Sequence, residues 1–410
     1  MNKTLRIIAL LLAVIVAAGD VVAGERDSLR VSTYAPVLGF GAGMVATGAV
    51  SREAYPHHYN IRSTGERSSR GTGVLEFAPL VAPWVLKAAG VATRSGWGRM
   101  AVSQGLGTAI MVGTVQGLKD GVTSWRPDGS DSHSFPSGHT AWAFMGATMA
   151  AYELGGTSGW YAFGAYTLAT GIAVERVMDR HHYPTDVMAG AGIGIVSAGL
   201  GYLLGDVIFG NRQLSITGRD LRDNTNFSFL SVKTGLNLPL GHISAGGVGV
   251  ERLPALSAGF RGGWAISDRW GMMAELELLS TPLILNTNPE RTYVKNLSAL
   301  GLIAGPTFTL PMSRRVSLTA DAAVGYRKNF ALKVDDNALQ ASPGTPVGKV
   351  DIGCVVRFAP RFSARASVGY EISHYRFTVS PSTSYLTATH ATTRGTSSSL
   401  LVEISSRYEF

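Results

Sequence analysis

Cysteine is almost absent from this chain of 410 residues: Cys354 stands alone, so no internal disulfide can form. No cysteine follows the first apolar run either, which speaks against lipoprotein processing. Charge is sparse, at 16% of residues, and no basic run accompanies the net charge of +8. Such a chain is not expected to bind nucleic acid, and phosphate-bearing lipid surfaces fit the balance better. Arg62, Arg67, Arg70, Arg94 and Arg99 could meet anionic headgroups, although they read first as scattered surface charges. The one targeting signal is N-terminal. Lys3 and Arg6 precede the apolar stretch Ile7 to Ala18, and Val21, Val22 and Ala23 offer a cleavage site before Gly24. Residues 1–23 therefore read as a secretory signal peptide, too short in its apolar part for an uncleaved anchor.

The remainder divides in two, as its length suggests. From about residue 35 to 210 the apolar residues lie in Ala- and Gly-rich stretches of helical character. Candidate helices at 35–50, 73–93, 99–118, 137–154, 159–177 and 184–209 predict a closely packed all-α bundle within a domain of residues 24–210. Residues 187–204 are apolar enough to read as a membrane span, though rich in glycine. Residues 211–224 are polar and read as a linker.

Over residues 225–410 the period becomes two. Val316, Leu318, Ala320, Ala322 and Val324 share one face, with Ser317, Thr319, Asp321 and Arg327 on the other. About eight strands are legible, at 226–238, 255–267, 270–284, 296–309, 314–331, 347–358, 362–379 and 397–410. Their connections alternate between short, around Asp268, Met312 and Pro360, and long, at 239–254, 285–295, 332–346 and 380–396. That asymmetry, with an aromatic Phe410 closing the last strand, predicts an antiparallel transmembrane β-barrel of the outer-membrane type. A soluble β-sandwich is the alternative that alternation alone leaves open. Glu275, Glu277, Asp321, Lys349, Asp351, Arg357, Arg365, Glu371, Glu403 and Arg407 are expected to point inward and pair, making a plugged anchor rather than a pore. An even strand count puts both barrel ends in the periplasm. A linker that reaches at most roughly 50 Å then places the helical domain in the periplasm, beside the inner leaflet and touching outer-membrane lipids. Ser373 and His374 raise a second hydrolase centre, without an identifiable acidic partner.

Three blocks of the helical half carry chemistry. Lys119 and Arg126 lie seven apart before Pro127; Pro136, Ser137, Gly138 and His139 open an Ala-rich helix; Arg176 precedes His182, with Asp186 four residues on. Fixed cations can hold phosphate oxygens, arginine through a bidentate fork. A helix start that has a serine cap and a glycine favours an anion and lets it approach closely. Pro184 between His182 and Asp186 suits a first helical turn, which would let the carboxylate reach the imidazole and fix its tautomer.

In order and internal spacing these blocks resemble the type 2 phosphatidic acid phosphatase and vanadium haloperoxidase superfamily over roughly residues 100 to 200. The resemblance implies a metal-independent phosphoric ester hydrolase. His182 would be the nucleophile forming a phosphohistidine, His139 the acid for the leaving alkoxide and Asp186 the support of His182. Lys119, Arg126, Ser137, Gly138 and Arg176 would bind the phosphate. No cofactor or metal is implied, and vanadate is expected to inhibit. Substrates implied are phosphatidic acid, phosphatidylglycerol phosphate, polyprenyl diphosphate or lipid A phosphates, the last favoured by an outer-membrane tether. A vanadate-dependent haloperoxidase and a structural barrel with an inactive domain are the alternatives. Glu175, where the family has a small residue, departs from the pattern; His181 and His133 read as accessory. Nothing in the sequence specifies an oligomer.

Overall fold

The computed structural model describes residues 34–54, 73–210, 228–241, 243–245, 248–288, 291–313, 315–330, 339–359, 361–379 and 391–410. The expected signal peptide and linker lie outside these residues. Among the described residues six α-helices come first: α1 (Ala35–Glu53), α2 (Ala78–Ala88), α3 (Trp97–Gly121), α4 (Gly138–Leu154), α5 (Gly159–Met178) and α6 (Pro184–Phe209), with a 3₁₀ turn at Leu75–Phe77. The helix over 73–93 is shorter than expected because the 3₁₀ turn precedes it and the chain leaves it after Ala88.

α6 is the axis of the bundle, and small residues let its neighbours close on it. A Cβ at Gly192 would clash with the Gly41 carbonyl of α1, and one at Gly194 with the Ala141 carbonyl of α4. Backbones that close exclude larger side chains. This explains the membrane-span-like composition of 187–204: α6 is 94% buried over its most apolar window, inside protein.

The second half is a barrel. Strands β1 (Phe229–Leu240), β4 (Ala255–Ala265), β5 (Trp270–Asn288), β6 (Arg291–Pro311), β7 (Val316–Asn329), β9 (Gly344–Ala359), β10 (Phe362–Val379) and β11 (Ala391–Glu409) close into an eight-stranded antiparallel ring through the β5–β6 and β1–β11 pairings. Short β2 (Ile243–Ala245), β3 (Val248–Arg252) and β8 (Leu339–Ala341) extend it at the end bearing the long connections. The expected loop at 285–295 is instead mostly strand, since β5 and β6 stay paired out to Asn288 and Arg291.

Alternation sorts the side chains as the sequence indicates. Lys233 donates to Glu275 at 2.8 Å, Glu277 at 2.6 Å and Glu403 at 3.0 Å; Lys349 reaches Glu275 and Glu403 at 3.0 Å each. Arg327 holds Glu277 and Glu371, Arg365 holds Asp321 and Asp351, and Arg357 holds Glu409. Outward stand apolar residues such as Leu302, Val324, Ile352 and Val368, each at least half exposed. Ser373 and His374 are neighbours on one strand and so face opposite sides of the wall, which removes the second hydrolase centre.

The bundle lies along the barrel wall. Outward-facing Val232, Thr234 and Leu236 of β1 and Leu256 of β4 are covered by helices. α5 runs the height of the wall. At its start Trp160 stacks on Tyr408, centroids 4.5 Å apart, beside the barrel terminus. Midway Thr170 bonds Thr234 at 3.0 Å, and at its end Asn296 donates to the Val177 carbonyl at 2.6 Å.

Candidate active site

Lys119 ends α3, His139 opens α4, Arg176 ends α5 and His182 precedes α6, so the three sequence blocks meet at one end of the bundle. The turn between α5 and α6 is tight. Arg180 takes a left-handed φ of 59°, and the amides of His181 and His182 both bond the Arg176 carbonyl at 3.1 Å. Phosphate-binding cation and imidazole are thereby tied to one backbone point.

His182 is buried, and its Nδ1 lies 2.7 Å from the Ser134 carbonyl. A carbonyl only accepts, so Nδ1 carries the proton and Nε2 keeps its lone pair. Burial and the nearby Arg126, Arg176 and Lys119 hold this imidazole well below its ordinary pKa, so it is neutral. Asp186 does not make the expected orienting bond, because its Oδ2 stands 3.9 Å from Nδ1. It instead accepts from the Ser134 hydroxyl at 2.5 Å and the Tyr183 amide at 3.0 Å, and faces Arg52 at 3.4 Å. Asp186 therefore supports the ring through Ser134 and through its charge.

Three cations act on the ring, and Arg126 faces Nε2 directly. Arg126 places Nη1 3.4 Å from it while its Nε is anchored on Asp131 at 2.8 Å. The buried Nε of Arg176 has no hydrogen-bond partner among the described residues. A Cβ at Gly138 would lie 3.9 Å from the Lys119 ammonium, an ordinary contact. Packing does not demand glycine there; its absent side chain leaves room for a ligand between the helix start and the lysine. Ser137 departs from expectation: it makes no side-chain cap, is wholly buried, and its Oγ pairs with Thr140 at 3.0 Å.

His139 is partly exposed, with Nε2 3.4 Å from Glu76. Burial, then Arg176, Arg126 and Lys119, lower its pKa to about 4. Glu76 is itself buried, and burial raises its pKa. His181 faces Asp128 at 3.3 Å and so lies outside the cradle, and His133 serves the same loop through its amide on Asp131 at 2.8 Å. Glu175 turns towards Arg176, at 3.7 Å, and draws on its charge. Glu175→Gln is expected to lower KM roughly two- to fivefold, about 0.5–1 kcal/mol for a partly exposed pair, with kcat little changed. An unchanged KM in steady-state assays would show that the carboxylate does not compete with substrate.

Sequence reasoning missed Arg52, Glu76 and Ser134. Residues 100–207, which hold the cradle, match the PAP2 superfamily model. They form a PAP2 superfamily domain. Over 266 residues the chain is 31% identical to a lipid A 1-phosphatase of Porphyromonas gingivalis, a match covering 60% of this chain and 57% of that protein. Over 81 residues it is 40% identical to a probable lipid phosphate phosphatase 4 of Arabidopsis thaliana, covering 17% of this chain and 26% of that protein. The chain thus spans little more than half the length of the first of these relatives and about a quarter of the second. Beside the PAP2 domain, the barrel is similar to the outer membrane protein OprG from Pseudomonas aeruginosa, with 9% identity, 47% of this chain and 99% of that chain covered, and a TM-score of 0.37.

Proposed function

We propose that the protein is a phosphatase of lipid phosphate or diphosphate esters, held in the outer membrane by its barrel. The observation that carries the reading is the neutral His182, its Nε2 lone pair facing Arg126 within reach of Arg176 and Lys119. Nε2 attacks phosphorus, the phosphorus–oxygen bond to the lipid breaks, and His139 gives its proton to the leaving oxygen. Water then attacks the phosphohistidine, with His139 taking the proton back. The guanidinium groups and the ammonium stabilise the charge gathered on the phosphoryl oxygens. The similarity to a lipid A 1-phosphatase favours a phosphorylated glycolipid among the substrates considered. The apolar outer surface of the barrel supports the membrane location, and the protein should fractionate with the outer membrane and migrate heat-modifiably on gels.

The low pKa of His139 has a kinetic consequence. Near pH 7 the empty site lacks the proton the leaving group needs, so the proton must enter with the substrate monoanion, whose second ionisation is near pH 6. With His139 titrating at about 4, kcat/KM should form a bell between about pH 4 and pH 6 and fall tenfold per unit above it. A plateau through pH 8 on an alkyl phosphate would contradict this assignment. Hydrolysis should persist in a chelator and be inhibited by vanadate, a mimic of five-coordinate phosphorus; dependence on an added divalent ion would overturn the proposed chemistry.

A further inference from the structure

The position of the catalytic cradle along the barrel points to a side of the membrane. Barrel termini and tight turns, at 265–270, 311–316 and 359–362, mark one end; the long connections mark the other. In outer-membrane barrels the tight turns are periplasmic and the long loops external. The start of α5 sits against Tyr408 at the tight-turn end. Its other end, with Arg176 and His182, sits at the long-loop end, where Asn296 holds Val177 and Tyr183 packs with Leu253 and Ile284.

The charges of the bundle follow the same axis. No charged residue occurs between Met100 and Leu118 of α3, between Gly159 and Val174 of α5, or between Val187 and Gly205 of α6. Stretches of that length rise about 24–28 Å, close to the thickness of a hydrocarbon core. The outer face of α3 over this span exposes Ala101, Gly105, Ala109 and Val112. Arg94, Arg99 and Asp206 pair at the tight-turn end, and the cationic cradle occupies the other.

We infer that the helical bundle lies in the bilayer beside the barrel and that its cationic cradle sits at the external headgroups, so that the substrate is a phosphorylated lipid of the outer leaflet. The substrate half of this rests on the phosphatase reading; the topology does not. A cleft of about 770 Å³ between α1 and the wall, lined by Phe40, Leu318, Ile352 and Val368, is space for acyl chains. A lipid already in the outer leaflet would meet His182 by lateral diffusion, without extraction.

Cysteine labelling of the full chain tests this in a Cys354→Ser background. Asp120→Cys reports the cradle end of the bundle, Gly156→Cys its opposite end, and Asp268→Cys a tight barrel turn; all three positions are exposed. In intact cells a membrane-impermeant maleimide should label Asp120→Cys roughly tenfold more than the other two, as the loop asymmetry of outer-membrane barrels dictates. After permeabilisation all three should label. Labelling of Asp120→Cys only after permeabilisation would put the cradle in the periplasm and overturn the inference. The pair Thr170→Cys and Thr234→Cys, whose native hydroxyls lie 3.0 Å apart, should form a disulfide with oxidant; its failure would show the bundle undocked and overturn it too. A large polyethylene glycol maleimide on Asp120→Cys of intact cells should also block loss of lipid phosphate. External labelling without any phosphate release would retain the topology and remove the substrate.

Discussion

His182→Ala is expected to lose turnover on every phosphate ester, by roughly 10⁴–10⁶-fold, the scale on which loss of an enzymatic nucleophile is felt. No other described side chain combines a fixed lone pair with Arg126 at 3.4 Å. His139→Ala should behave differently. On an alkyl phosphate, whose alkoxide needs a proton to leave, the loss should be about 10²–10⁴-fold, against less than about tenfold on an activated aryl phosphate. Turnover of both variants on both substrates separates the roles. Equal losses for His139→Ala on the two esters would remove it as the leaving-group acid, and turnover by His182→Ala would remove the nucleophile.

The second large effect belongs to Asp186. Its carboxylate holds the Ser134 hydroxyl, the Tyr183 amide and Arg52, and all of these are buried. Ser134 in turn supplies the carbonyl that sets the His182 tautomer. Asp186→Asn keeps the shape, yet it presents an amide NH₂, itself a donor, to one of these donors and leaves Arg52 without its counter-charge. Kcat should fall about 10²–10⁴-fold with KM little changed, as for a carboxylate that supports a catalytic imidazole. Unfolding stability should drop by about 3–5 kcal/mol, the cost of breaking one side of a buried ion pair. Arg52→Met added to Asp186→Asn should recover part of the stability without restoring kcat. Loss of KM with kcat intact would move Asp186 from the chemistry to the cradle.

The three blocks were legible because they are local: spacing along the chain carries Lys119 to Arg126, and His182 to Asp186. Their supports were not. Arg52 meets Asp186 across 134 residues, and its only sequence mark is that it is the first charge of α1, one residue before Glu53 closes the helix. Ser134 acts through a carbonyl that any residue possesses. Glu76 sits in a 3₁₀ turn read as ordinary helix. In the barrel, alternation was clear where the wall faces outward freely, as in β7 and β9, and all ten of the expected inward residues of the barrel are buried. It was blurred on β1 and β4, where helices cover the outside. Val232 and Leu236 are then as buried as Lys233, and Lys233 and Arg261 were not recognised as part of the interior ion network. The placement of the bundle could not be read from a polar linker, since its length permits contact with the wall as readily as with one end.

The most direct measurement is a single turnover of the purified full chain on an alkyl phosphate in chelator, quenched in alkali that preserves phosphoramidates and mapped by peptide mass spectrometry. Phosphate is expected on His182, its appearance matching release of the alcohol and its disappearance slowed in His139→Ala. Phosphate on another side chain, or alcohol released with no phosphorylated peptide at any time, would contradict this mechanism.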